Sequence, residues 1–395
     1  MNTDGMTWPR RWLMLVLLLM VSPCPGRAEK GPFGPGRQYA DAAGPRPRPV
    51  FSVNLQYPNV VEDWRFDARS PMTSAPAVAD GRVFAGDGAG KLRALSLDSG
   101  AVAWAITAGG PIRSTPAVDA RRVVFSSADG SLCALKASNG KKLWQFKSEG
   151  ASLGSPCLTN NMVYIGAGDG KFRALGLEDG ALVWECPGIG APVETRPLVC
   201  EDRVIFGAKD GYLYALGETT GLLLWKWKGD PGATQSPEAV CSVAARPRLF
   251  VAAPDRLLAA LDLATGKELW RTDAWPVGGS IGLAEDGSLC YAGTMTNGTI
   301  LSFTAAADHA AKVWEWDAPP DGGISSAMLA EKNGVLYSGT RDGLLLAIDP
   351  RSGTLLWEHK LGTAALNTAA PLDDINEVVV SDTSGRITRI GPRQH

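Results

Sequence analysis

Eight tryptophans, Trp64, Trp104, Trp144, Trp184, Trp225, Trp270, Trp314 and Trp357, recur at intervals of 40 to 45 residues. A period of that length confines the chain to architectures in which one small unit repeats and buries its faces against its neighbours. Inside the clearest copies the spacing does not vary. Ala94-Leu95, Ala134-Leu135, Ala174-Leu175, Ala215-Leu216, Ala260-Leu261 and Ala347-Ile348 each begin ten residues before their tryptophan, and Gly100, Gly140, Gly180, Gly221, Gly266 and Gly353 fall four before it. Ser, Asn, Asp or Thr precedes each of these glycines, which is the chemistry of a tight turn with one residue at positive φ.

Upstream of the Ala-Leu pairs stand Asp129-Gly130, Asp169-Gly170, Asp210-Gly211 and Asp342-Gly343, the dipeptide favoured by two-residue hairpins. Before these come β-branched runs such as Arg122 to Phe125 and Met162 to Ile165, and before those an apolar stretch with proline such as Ser114 to Val118. Each unit therefore reads as four short antiparallel strands, and four strands with one tryptophan per unit make a propeller blade. Seven units are complete, at 73–104, 113–144, 153–184, 194–225, 234–270, 279–314 and 324–357. An eighth, 366–391, lacks its closing tryptophan strand. The segment Val61 to Phe66, around Trp64, matches Leu143 to Phe146 and has no unit of its own to close. The expected fold is all-β: an eight-bladed propeller over 60–391, with the strand around Trp64 completing the last blade.

The unit Ser-Pro-Ala-Val, a strand, Asp-Gly-x-Leu-x-Ala-Leu, then Thr-Gly-x-x-x-Trp resembles the tryptophan-docking repeat of quinoprotein-type propellers. That superfamily holds PQQ-dependent alcohol dehydrogenases and the outer-membrane assembly factor BamB. The resemblance covers about residues 60 to 391 and implies the fold more strongly than the function, because these repeats encode the scaffold. It implies two functions from different classes. One is a BamB-like, non-catalytic scaffold that binds proteins or peptides in the cell envelope. The other is a dehydrogenase that uses PQQ with calcium. Enzymes of the second kind hold calcium through carboxylate and amide oxygens, and many carry a disulfide between adjacent cysteines; this chain has no adjacent cysteines and mostly short connections.

Residues 1–28 read as a signal peptide: Arg10-Arg11, an apolar run from Trp12 to Val21, and small residues at Gly26 and Ala28, too short to span a bilayer. Cys24 lies in a stretch that resembles a lipobox, with proline where a small residue is expected, so acylation there stays an open alternative. Residues 29–59 read as a Pro/Gly-rich disordered linker. Without the leader, which carries three arginines and one aspartate, the net charge moves from −2 to −4. No run of Lys and Arg exceeds two residues, which argues against a nucleic-acid partner. The expected localisation is periplasmic or secreted, and the expected state a monomer.

Six cysteines follow the leader, Cys133, Cys157, Cys186, Cys200, Cys241 and Cys290, mostly inside strand patterns where a thiol behaves as a small hydrophobe; one or more cystines remain the alternative. The histidines are only His309, His359 and His395, so a catalytic or metal pair has little to draw on. Gly-x-Ser-x-Gly occurs at 150–154 and 278–282, but a nucleophile elbow needs a strand, a turn and a helix, and no helix is expected. We therefore expect no catalytic, cofactor or metal residues. Residues just before each strand proline should face the axial channel. Arg113, Glu194, Arg196, Gln235 and Asn367 are the candidates for the channel or a partner, since charge near a narrow axis is costly unless paired or wet.

Overall fold

The computed structural model describes residues 60–392 apart from 152–153, 160, 230–240, 254–256, 295–297, 307, 318–322, 326–328 and 375. The leader, the linker, Cys24 and Gln235 lie outside the described residues. All described residues belong to one compact unit and contain no helix. Their strands form eight four-stranded antiparallel sheets arranged as an eight-bladed propeller.

The first blade runs Ala77–Ala79, Arg82–Gly86, Lys91–Ser96 and Val102–Thr107, each strand paired with the next in sequence. Six further blades repeat that order. The last sheet takes Ala370–Pro371, Val378–Ser381 and Arg386–Pro392 from the end of the chain and Val60–Asp67 from its start. Trp64 pairs with Arg389 and Phe66 with Ile387, past a bulge between Glu62 and Trp64. The orphan strand expected from the sequence thus closes the ring.

Each blade's tryptophan docks on the following blade. In most blades its indole Nε1–H donates to a backbone carbonyl at the turn before that blade's outer strand: Trp64 to Leu97 O (2.7 Å), Trp104 to Ala137 O (2.9 Å), Trp144 to Leu177 O (2.9 Å) and Trp184 to Glu218 O (3.0 Å), whereas Trp357 donates to Oδ1 of Asn376 (2.9 Å). The repeat glycine explains why this turn admits an indole. Gly180 has φ +69°, and a Cβ added there would lie 2.5 Å from Cε3 of Trp144. The glycine four residues before one tryptophan therefore serves the tryptophan of the preceding blade. In the sixth blade the turn Ala305 to Ala311 has no glycine, and it departs from the pattern as its sequence does.

The core lies between blades rather than on one axis. Phe172 of the third blade stacks on Phe206 of the fourth at 3.9 Å. Met72, Val78, Ala370, Val379 and Ile387 form the seam between the first and last blades, with Trp64 and Phe66 packed on it. Trp227 is buried between the fourth and fifth blades and donates to Glu268 (3.1 Å), which is the inter-blade use its spacing two residues after Trp225 suggests. Cys133, Cys157, Cys200 and Cys290 are buried free thiols and Cys186 a half-buried one. Burial pushes the Cys133 thiol up to about 11.

The aspartates of the Asp-Gly hairpins tie each turn to its strand. Oδ1 of Asp169 accepts the Lys171 N–H (3.1 Å), and Arg173 donates to both carboxylate oxygens (3.1 and 2.6 Å). Burial pushes the Asp169 carboxyl up, but the bonds from Arg173 and the Lys171 N–H outweigh it and hold the group below the usual carboxylate range. The folded state therefore binds the proton more weakly than the unfolded chain. The stability this contributes is fully present above the unfolded value of about 4 and is lost as pH falls through the lower folded value. Asp169→Asn is expected to shrink the drop in melting temperature on acidification below about pH 4. Melting curves across that range check it, and an unchanged drop would remove Asp169 from the acid response.

Candidate axial binding site

In the blades where these segments are described, two of them reach the axis at one face of the ring: the stretch before the innermost strand and the hairpin between the second and third strands. One backbone bond joins them in blade after blade: Gly88 N to Pro71 O (2.8 Å), Ala128 N to Pro111 O (2.8 Å), Lys209 N to Pro192 O (3.0 Å), Arg341 N to Gly323 O (2.9 Å) and Thr383 N to Ala365 O (2.9 Å). Bonds also run from blade to blade around the axis. The Ala75 N–H donates to Thr115 Oγ1 (3.2 Å), and the Thr115 N–H to Ser155 Oγ (3.0 Å).

A cavity of about 560 Å³ opens there. Its lining comes from the first blade (Thr73 to Ala75), the second (Arg113, Thr115), the third (Ser155), the fourth (Arg196), the seventh (Ser325, Arg341) and the eighth (Ala365 to Thr368, Thr383). Six blades on opposite sides of a ring can border one space only at the axis. Arg113, Arg196 and Asn367, expected at the channel, all line it. Asn367 is buried and structural, its Nδ2 donating to Met72 O (3.3 Å) and to Ser381 Oγ (2.9 Å), so it bridges the last blade to the first. Arg196 is half-buried at the step where Ala75, Thr115 and Ser155 stand in the first three blades. Its guanidinium lies beside the Cys157 thiol, which burial pushes up and Arg196 partly restrains.

Glu194 does not line the cavity; it pairs with Lys209 of the same blade's hairpin at 2.7 Å. Arg341, which the sequence reading did not select, does line it, from the residue before Asp342-Gly343. Its equivalents by the shared backbone bond include Ala128, Lys209 and Thr383. The signal was the residue preceding each Asp-Gly, the second position that faces the axis.

Among the described residues the lining holds three guanidiniums, hydroxyls and one carboxamide, with no carboxylate and no aromatic ring. Among the described residues no group of three or more His, Cys, Asp and Glu side chains is placed to hold a metal. The described donors by themselves do not make a calcium site beside a stacked quinone. Ser280, the centre of one Gly-x-Ser-x-Gly string, is buried within the strand Val277–Leu283 rather than at a nucleophile elbow. His359 lies on the outer strand Leu355–Lys360, 3.6 Å from Glu62.

A family model described as outer membrane protein assembly factor BamB matches residues 62–192, 150–273 and 209–394, in overlapping sections that take in the ring from first blade to last. The chain belongs to the BamB family. No curated protein matches it. Among solved structures, BamB from Moraxella catarrhalis is 19% identical with a TM-score of 0.69, over 84% of this chain and 99% of that one. Quinohemoprotein alcohol dehydrogenase from Comamonas testosteroni is 14% identical with a TM-score of 0.71, over 91% of this chain and 80% of that one. A computationally designed protein, Ika8, is 20% identical with a TM-score of 0.70, over 82% of this chain and 96% of that one. Likeness at these identities shows the fold, which a BamB, an oxidoreductase and a design share.

Proposed function

We propose that this BamB-family chain is an exported, periplasmic or secreted, non-catalytic scaffold that binds protein or peptide segments in the cell envelope. The observation that carries the reading is the outer edge of the third and fourth blades. Leu182 and Val183 on the strand Leu182–Cys186, and Leu222, Leu223 and Leu224 at and before the strand Leu223–Lys228, are exposed, up to 54% at Val183 and 68% at Leu222. Each of these strands is the last of its sheet, with one edge unpaired by its own blade. An extended partner segment can add main-chain hydrogen bonds along such an edge and lay side chains on the leucines, which unites β-augmentation with an apolar anchor. The axial lining supports the same reading, since its described residues offer donors for binding and include no nucleophile with an adjacent base.

The test is a photo-crosslinking side chain at Leu223, with a control at exposed Lys141 on the second blade, in cells that make the protein. A discrete adduct with an envelope protein at Leu223 and none at Lys141 is expected. Equal labelling at both positions, or none at Leu223, would overturn the reading.

A further inference from the structure

We propose that the outer edge of the fourth blade receives an extended partner segment that carries carboxylates on alternate residues and an apolar side chain beside them, an inference that rests on the scaffold reading above and names the chemistry the edge selects. The strand Leu223–Lys228 pairs with Tyr212–Gly217, and the register sets Lys226 opposite Tyr214 and Lys228 opposite Tyr212. The two lysines therefore share one face of the sheet, and Trp225 and Trp227 share the other. The tryptophans fix the strand from behind. Both are buried against the fifth blade, Trp225 donating to Leu263 O (3.2 Å) and Trp227 to Glu268 (3.1 Å). On the lysine face both ammonium groups gather over the Tyr212 ring, 4.7 Å from its centroid for Lys226 and 5.3 Å for Lys228. The carboxylate of the same hairpin, Asp210, is taken up by the Tyr212 N–H (3.0 Å) and the Tyr214 O–H (2.5 Å).

Two ammonium groups gathered on one ring repel each other, and an anion laid beside them is attracted by both. A segment that adds to this edge as a fifth strand has the same two-residue step as the lysines, so carboxylates at alternate positions come up beside Lys226 and Lys228 while its main chain bonds to the strand. Toward the start of the strand the lysines give way to exposed Leu222, Leu223 and Leu224, which an apolar side chain of the segment covers. The exposed edge of the third blade differs in sign at the same step. Glu185, which follows Trp184 as Lys226 follows Trp225, is held there by Arg173 (2.8 Å) and Lys171 (3.3 Å). Of these two apolar edges, the fourth blade's is the one whose charge draws an acidic segment.

Fluorescence anisotropy on the full chain tests this with labelled, end-capped peptides. Leu-Thr-Glu-Thr-Glu-Thr-Leu presents the alternate glutamates in either strand direction and is expected to bind. Leu-Thr-Thr-Glu-Glu-Thr-Leu has the same composition but puts its glutamates on opposite faces of an extended chain, so it should bind more weakly. The first peptide with lysines for glutamates, or with its backbone N-methylated at alternate residues, should not bind. Reversing both charges, Lys226→Glu with Lys228→Glu, should weaken binding of the glutamate peptide about tenfold or more and admit the lysine peptide, and Lys226→Gln alone, at an exposed position, should weaken it by less. Added salt should weaken it too. In cells the charge-reversed protein is expected to lose the Leu223 adduct. Equal binding of the two glutamate peptides, unchanged binding by the charge-reversed protein, or no binding of either peptide would overturn the proposal. An adduct at Leu223 that persists after charge reversal would remove this inference and leave the scaffold reading standing; no adduct in the unaltered protein would remove both.

Discussion

Trp64→Ala is expected to destabilise the protein by roughly 3 kcal/mol, the low end for truncating a well-packed tryptophan because this indole is only partly buried. The loss falls on the ring's single non-covalent seam. The other seven tryptophan strands follow the rest of their blade along the chain, whereas Val60–Asp67 is held to the last blade by its ladder and to the first by the Trp64 contacts with Leu97 and Gly100. Truncation leaves the Leu97 carbonyl without its indole donor and a void against Gly100. A melting temperature lower by about 5 °C or more is expected. Hydrogen exchange should quicken first in Val60–Asp67 and Arg386–Pro392, before the third and fourth blades. Uniform acceleration around the ring, or none, would show that the seam is no weaker than any other joint.

Gly180→Ala should cost about as much through two additive mechanisms. The left-handed backbone at φ +69° costs an alanine about 1 kcal/mol, and a Cβ placed 2.5 Å from the Trp144 ring forces the indole off its seat for about 1–3 kcal/mol more. Gly188 separates the two. It has φ +86° with nothing within 4 Å of the added Cβ, so Gly188→Ala carries the backbone cost alone. Chemical denaturation of both variants gives the docking contribution as their difference. Equal destabilisation would mean that the glycine is there only for the turn.

The fold was legible because its determinants are local and repeated. A tryptophan, a turn glycine and an Asp-Gly hairpin at fixed offsets specify each blade, and an unclosed last unit with an unclaimed strand at the start specifies the closure. The role of the turn glycine was not legible: its spacing is measured from one tryptophan while its contact is with another, about 36 residues earlier, as Gly180 is from Trp144. The candidate site was legible in part for a similar reason. Offsets from the strand proline placed Arg113, Arg196 and Asn367 at the axis, but proximity to a proline does not say which way a side chain leans. Glu194 turns to Lys209, which the hairpin of the same blade brings beside it. Arg341 escaped because its position varies from blade to blade, with Ala128, Gly168, Lys209 and Thr383 as its equivalents, so no repeated residue type marks it.

The measurement that bears most directly on the account is calorimetric titration of the protein with PQQ, with and without calcium. PQQ carries carboxylates, so the axial arginines allow a weak heat. The account predicts that any such heat is the same with and without calcium, fades with added salt, and falls in Arg113→Gln. Calcium-dependent binding at micromolar affinity or tighter would contradict it and place the chain among the quinone-dependent dehydrogenases.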